Sequence, residues 1–403
     1  MTGDGWPIES LSYLLDGIEA GKSPDLPDSP AGFGEWGVLK VSAVHHSGFR
    51  AEENKRVETP SIVDPRYQVN SGDLLISRAN TPELVGLACI VPELSARLLL
   101  SDKTLRLKVN PARALAEYVN ACLASPGVRR QIVNAASGSS RSMQNIGQKA
   151  IERLRLPVPP IEEQRRIVDV IYSVAELERG IETSIAKTRL VRKEVARRVL
   201  LGGNRPLRKI KDVGTVSSGN TPSRARRDFW EGGDVPWVRT GEIDFNVITE
   251  TGEHVTRKAV REAGLRVYPQ GTVLLAMYGD GATRGRVGSL GVEATINQAA
   301  AAIVCDPLQV DHRYLYYFLE TQYTEIRNIG QGSNRSNLNG ALVGAIEIPL
   351  PSVEEQRELV ISLEAFDGKV QADRAELAKL RELKRGLVDD LLSGRVAVPA
   401  VAA

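Results

Sequence analysis

The sequence predicts an α+β chain written twice. Two mixed α/β domains with short strands alternate with two long helices, which are expected to pair as an intramolecular antiparallel coiled coil in a pseudo-two-fold duplication. Three observations carry this: an ordered internal repeat, short apolar runs broken by Gly, Pro, Asn and Asp, and two proline-free stretches with heptad spacing. The repeat is plainest where "PVPPIEEQR" at 157–165 returns as "PLPSVEEQR" at 349–357. "GKSP" at 21–24 matches "GNTP" at 219–222, and "GEWGVLKV" at 34–41 matches "GDVPWVRT" at 233–240. "SGDLLIS" at 71–77 matches "QGTVLLA" at 270–276, and "GSSRS" at 138–142 matches "GSNRS" at 332–336. The matches keep their order while the offset drifts from about 199 to 192, which chance would not do.

In chain order the sequence reads as a first irregular domain (1–156), a helix (157–203), a second irregular domain (204–348), a second helix (349–396) and a short tail (397–403). "VLKVSAV", "DLLIS", "TVLLAMY" and "AAAIV" read as short strands, and 111–135 and 311–329 read as helical. In the second long helix Leu359, Leu363, Phe366, Val370, Leu377, Leu380, Leu387 and Leu391 follow a 4–3 spacing interrupted by Asp373 and Lys384. In the first, Ile167, Ile171, Val174, Ile181, Ile185, Val195 and Val199 do so, interrupted by Glu178, Thr188 and Arg192. Parallel pairing in equivalent register would set Arg192 against Lys384. Antiparallel pairing lets Glu178 face Lys384 and sets Thr188 against Asp373. Ser352 with Glu355 has the spacing of a capping box, Pro160 suits an early helical position, and Gly202, Gly203 and Gly394 mark the stops. Glu163, Gln164, Glu355 and Gln356 open the two helices and are expected, with the seam residues, at the helix and subunit interface.

Composition excludes several classes. The chain has 403 residues, 42% apolar and 25% charged, with a net charge of +2. Basic side chains must therefore act by clustering. Three scattered cysteines and four unclustered histidines offer no disulfide framework or metal site. There is no P-loop, nucleophile elbow or HExxH, and "GDGATRGRVG" at 279–288 has Arg284 where a dinucleotide loop needs its third Gly. No catalytic set is visible. No leader or membrane helix is visible either, so the expected compartment is the cytoplasm.

What the loops do offer is basic and amide side chains. The first domain has Lys22, Arg50, Lys55, Arg56, Arg78, Asn80 and Arg141. The second has Thr221, Arg224, Arg226, Arg227, Arg239, Tyr278, Arg284, Arg286, Asn297, Gln298 and Arg335, with further bases at Arg257, Lys258, Arg261 and Arg266 and aromatics at Phe229 and Trp230. Arg reads guanine and Asn or Gln reads adenine in the major groove, while Lys, Arg and hydroxyls hold phosphates. Each of these, taken alone, can equally be a solvated surface side chain.

The order "GNTPS", "FWEGGDVPWVRTGEID", an Arg-Ser loop, then "IPLPSVEEQRELV" and a long helix resembles the specificity subunit of type I restriction–modification systems. The first copy, "GKSPD", "GEWGVLKVSAV", "SGDLLISRAN" and "LPVPPIEEQRRIV", resembles the same unit. The resemblance implies two target recognition domains, each reading one half of a bipartite double-stranded DNA site, with the helices as spacers. It implies docking of modification subunits, two of them, which supply S-adenosylmethionine and adenine-N6 methylation. It also implies restriction subunits using ATP and Mg, and no cofactor or catalysis on this chain. The first domain lacks the Pro-Trp and "FWEGG" of the second, so an asymmetric target is expected. Two alternatives stay open: the specificity partner of a single-polypeptide nuclease–methyltransferase, and a coiled-coil scaffold binding protein or RNA.

Overall fold

The computed structural model describes residues 6–140, 143–279, 282–329 and 338–398. The chain divides into two compact units, residues 1–180 with 376–403 and residues 181–375. Each unit therefore takes one piece of each long helix: the first arm, Ile161–Leu201, and the second arm, Val353–Leu392.

In the first unit a four-stranded antiparallel sheet runs Leu15–Ala20, Thr104–Val109, Leu74–Ser77, Ala88–Ile90. A second sheet sets Trp36–Leu39 between Arg97–Leu99, parallel, and Asn54–Arg56, antiparallel. Helices Ala116–Ala124 and Pro126–Ala135 follow. Ser125 caps the latter by accepting from the Val128 N–H. Leu11, Leu14, Ile76, Leu105, Tyr118 and Ile132 form one core with Ile167 of the first arm and Leu391 and Leu392 of the second. Trp6 lies against Gly394, whose φ of 73° ends the second arm.

The second unit repeats this order. Gly214–Ser218, Ala300–Cys305, Val273–Ala276 and Val287–Leu290 form the equivalent sheet, extended by Asn246–Ile248. Val235–Val238 lies between His254–Val255 and Thr295–Ile296. Helices His312–Thr321 and Tyr323–Asn328 follow. Val273, Leu275, Ile303, Tyr314 and Phe318 pack on Ala196 and Leu200 of the first arm and Val360 and Leu363 of the second.

The heptad seam is inward-facing. Ile167, Ile171, Val174, Glu178, Ile181, Ile185 and Arg192 in the first arm are all buried or half-buried, as are Leu363, Phe366, Val370, Asp373, Leu377, Leu380 and Lys384 in the second. In the first unit Lys384 meets Glu178 at 2.8 Å, and Glu163 accepts from the Val398 N–H at 3.4 Å. In the second, Ser184 donates to Asp373 at 3.0 Å, Arg192 meets Asp367 at 2.7 Å, and Arg205, just beyond the arm, meets Glu355 at 2.6 Å. Partner numbers fall as numbers rise, so the arm segments run antiparallel within each unit. Two details differ from the sequence reading. Asp373 is held by Ser184 of the facing arm and by Lys369 one turn away on its own arm, not by Thr188. The capping box is half made: Ser352 Oγ accepts from the Glu355 N–H, but the Glu355 carboxylate is drawn to Arg205. Lys384→Glu is expected to lower the urea midpoint of unfolding, since it sets two carboxylates together in the seam. Glu178→Lys on that background should restore it, and a midpoint unmoved by either change would show that the pair carries no register.

The repeated phrase now has a structural cause. Gln164 and Gln356 are both 0% exposed. Gln164 Nε2 donates to the carbonyls of Pro159 and Arg113 at 2.9 and 3.1 Å, and its Oε1 accepts from the Leu115 N–H at 3.0 Å. Gln356 Nε2 donates to Pro351 and Gln309 at 2.9 and 3.0 Å, and its Oε1 accepts from the Asp311 N–H at 2.8 Å. The hydroxyls of Tyr118 and Tyr314 donate to the carbonyls of Pro157 and Pro349 at 3.0 and 2.6 Å. The Pro-x-Pro segment cannot satisfy itself, because proline has no N–H and both segments leave carbonyls inside. Each Gln-Tyr pair closes that account and joins an arm to its domain.

Candidate nucleic-acid interface

The loops at one end of each unit's paired sheets gather the polar side chains. In both units the Gly-x-Ser/Thr-Pro turn begins the cluster. A Cβ on Gly21 would lie 1.9 Å from the Leu100 carbonyl oxygen, and one on Gly219 would lie 2.0 Å from that of Ile296. Only glycine lets this turn approach the neighbouring strand so closely.

In the second unit that turn delivers a connected set. Thr221 Oγ1 bonds Gln298 Oε1, and Thr240 Oγ1 donates to Asn297 Oδ1 at 2.9 Å. Trp237 Nε1 donates to the Asn220 carbonyl at 3.1 Å. Arg224 stacks 3.8 Å from the Trp230 ring and 5.0 Å from that of Trp237, while the two indoles meet edge to face at 5.0 Å. The Glu253 carboxylate receives Arg224 at 2.5 Å and Arg239 at 3.3 Å. Glu242 accepts the Arg239 N–H at 2.7 Å and the Gly252 N–H at 2.7 Å, fixing the strand ends. Thr221, Arg224, Arg239, Asn297 and Gln298 thus come together, as five of the residues that the sequence singled out.

Others stand elsewhere in the same unit. Arg226 packs over Phe229 at 4.0 Å and is held by Asp228 and Glu262 at 2.6 and 2.9 Å. Arg226 and Lys258 hold the Asp228 carboxyl well below the usual range. Arg227 is 85% exposed with Glu231 at 3.6 Å. Arg284 donates to the Ile329 carbonyl from a half-buried position, and Arg286 meets Asp244 at 2.9 Å and donates to Ala282 at 3.0 Å. Those two guanidiniums brace their turn. Tyr278 is 38% exposed beside it.

In the first unit Lys22 is exposed on a groove of about 550 Å³ with Ser23, Val63 and Tyr67. Arg50 and Lys55 are half-buried, and Arg56 pairs with Glu58 at 3.1 Å. Arg78 lies at a strand end, where its N–H donates to Lys103 and its carbonyl accepts from Ile146. Asn80 caps the Thr81 N–H at 2.9 Å. Arg141 and Arg335 lie outside the described residues. Lys40 and Asp28 join at 2.5 Å, and this pair was missed by reading the sequence for basic clusters. The repeat does contain the signal, since Lys40 aligns with Arg239.

Burial pushes the thiols of Cys89, Cys122 and Cys305 up to about 12, so none is a thiolate near neutrality. Among the described residues no helix is long and apolar enough to cross a membrane.

A family model for the type I restriction modification DNA specificity domain matches residues 206–382, which hold the Arg224–Glu253–Arg239 cluster, Gln356 and most of the second arm. That match spans the second half of the chain and is a similarity to the type I DNA specificity domain. The MjaIX specificity subunit of Methanocaldococcus jannaschii is 33% identical over 41% of this chain and 38% of its own length. The EcoEI specificity subunit of Escherichia coli is 31% identical over 41% of this chain and 28% of its own length. The chain thus spans under two-fifths of these relatives. A putative MjaX specificity subunit from the same archaeon is 21% identical over 98% of this chain and 94% of its own length. Among solved structures, a chain described under complex assembly and conformational transition of the type I R-M system has a TM-score of 0.67 at 18% identity, covering 98% of this chain and 100% of its own. The HsdS subunit of Thermoanaerobacter tengcongensis has a TM-score of 0.54 at 20% identity, covering 98% of each chain. At these identities the likeness is one of fold, over nearly the whole chain.

Proposed function

We propose that the chain is a non-catalytic DNA-reading subunit of a type I restriction–modification complex. Each loop cluster reads one half of a bipartite double-stranded site, and the arms dock the modification and restriction subunits. Those partners bring S-adenosylmethionine, ATP and Mg, and the complex works in the cytoplasm on cellular and invading DNA. One observation carries this reading: the same fold is present twice, and the copies differ most in the side chains at the loop clusters. Arg224, Trp230, Trp237 and Arg239 in one unit answer to the Asp28–Lys40 pair in the other. Two readers on one scaffold with different chemistry suit an asymmetric split target.

Co-expressing the chain with its modification subunit and mapping methylated adenines tests this. The expected motif is split, with two unlike halves. A contiguous palindrome, or no methylation, would count against it. Arg227→Ala is expected to lower affinity for the mapped site several-fold and flatten the salt slope by about 1, with both units still folded. An unchanged slope would remove Arg227 from the contact.

A further inference from the structure

The two reading clusters share a charge pattern built from exchanged positions. In the first unit the loop after Pro24 turns back along the strand Asn54–Arg56, with the Arg56 N–H on the Ser29 carbonyl at 2.8 Å and the Ala31 N–H on Asn54 Oδ1 at 2.8 Å. This sets the loop's Asp28 against Lys40 at 2.5 Å. Lys40 foremost, with Lys55 contributing, holds the Asp28 carboxyl below the usual range. In the second unit the roles reverse. Strand register pairs Val38 with Lys55, and the Trp237 N–H bonds the Glu253 carbonyl at 3.0 Å at the equivalent place. Glu253 thus stands where Lys55 stands, Arg239 where Lys40 stands, and Arg224 comes from the loop that supplies Asp28. Loop acid with strand bases has become strand acid with one loop base. In the second unit one carboxylate sits between two cations, and in the first Asp28 meets Lys40.

These ion pairs open to solvent on one side: Arg224, Arg239 and Asp28 are 54%, 49% and 74% exposed, while Glu253 and Lys40 are 27% and 28%. Pairs of this kind are weak and exchange readily. They contrast with Arg106, which is 10% exposed and locked between Glu19 and Asp73 at 2.6 and 2.8 Å inside the first unit. An exchangeable carboxylate between two cations occupies the position that a nucleic-acid phosphate would take. Left free, the cations would grip any backbone, because phosphate contacts carry no sequence information.

We propose that Asp28 and Glu253 are specificity-determining residues that stand in for phosphate, holding Lys40, and Arg224 with Arg239, back from DNA of the wrong sequence. At the matching half-site, base contacts offset the exchange of carboxylate for phosphate. Elsewhere nothing does, and the reader lets go. This rests on the DNA-reading function proposed above.

The test uses the full chain with its modification subunits, on a duplex carrying the mapped motif and a scrambled duplex of equal length, across a salt series. Glu253→Gln and Asp28→Asn are each expected to raise affinity for the scrambled duplex about tenfold. They should also steepen its salt slope by about 1 to 2, as freed cations meet phosphates. Affinity for the matched duplex should change less, so discrimination falls. Glu250→Gln removes an equal charge from an exposed site in the same unit and should do neither. Weaker binding to both duplexes, or no change in either, would make the carboxylates mere struts for the cations and overturn the proposal. So would an equal effect from Glu250→Gln. An unaltered chain that prefers neither duplex would instead refute the DNA-reading function, and this inference with it, before any variant is compared.

Discussion

Replacing Gln356 by Leu is expected to destabilise the second unit by about 3 kcal/mol, and Gln164→Leu the first by a similar amount. Leucine fills much of the same volume but leaves two carbonyls and one amide without partners inside the protein. At the Gln356 site these are the carbonyls of Pro351 and Gln309 and the Asp311 N–H, all within 3.0 Å of the amide. Glutamate at the same position keeps the acceptor, loses both donors and buries a charge, so it should be no milder. Hydrogen exchange read by peptide distinguishes the units. Gln356→Leu should speed exchange in 181–375 and Gln164→Leu in the first unit, each leaving the other at its original rate. Loss of less than about 0.5 kcal/mol in either would mean the glutamines are passengers of the motif.

Arg192→Ala should cost about 3 kcal/mol near neutral pH, with a loss that shrinks in acid. The guanidinium is 15% exposed and holds Glu320 at 2.7 Å and Asp367 at 2.7 Å, while the Tyr317 hydroxyl donates to Asp367 at 2.8 Å. Burial raises the Glu320 carboxyl above its usual value, and Arg192 opposes that rise. A carboxyl with a raised folded value favours folding when protonated. Its contribution is fully present below the unfolded value and is lost as pH rises through the folded one. Removing Arg192 raises the folded value further, so the variant's deficit should be largest near pH 7 and smallest below about pH 4.5. Urea unfolding across that range measures it. A deficit independent of pH would show that the lost side chain matters for packing, not charge. Glu320→Gln on the Arg192→Ala background should recover part of the loss at neutral pH.

Much of this was legible in the residues. The duplication, the arms and their antiparallel pairing followed from spacing, and Glu178 against Lys384 followed from refusing two like charges in one seam. The exact polar partners did not. Asp373 chose Ser184 of the facing arm and Lys369 of its own, and Glu355 chose Arg205 beyond the end of the first arm, because partners across the packed arms depend on placement that spacing along one helix does not specify. The glutamine of "EEQR" looked like part of a helix entrance, and its burial depends on carbonyls more than forty residues away that no local pattern reveals. At the loop clusters, counting basic residues singled out Arg224 and Arg239 and passed over Glu253, which joins them, since a carboxylate has no place in a search for cations. Arg284 and Arg286, the most conspicuous pair in the glycine-rich loop, are tied to the Ile329 carbonyl and to Ala282 and Asp244 respectively.

The way each arm is divided has a consequence for how the protein comes into being. The second unit, 181–375, is one continuous stretch and can complete its core as soon as it has left the ribosome. The first cannot. Leu11, Leu14 and Ile167 share their core with Leu391 and Leu392, so the domain that emerges first waits for residues made some two hundred positions after its own arm segment begins. Synthesis order and folding order are therefore crossed. The apolar stripe from Ile167 to Val174 stays uncovered while the whole second unit is translated, a delay that closing so long a loop prolongs. The first-made domain is the last to be finished, and a chain cut short anywhere before Leu391 would leave it open.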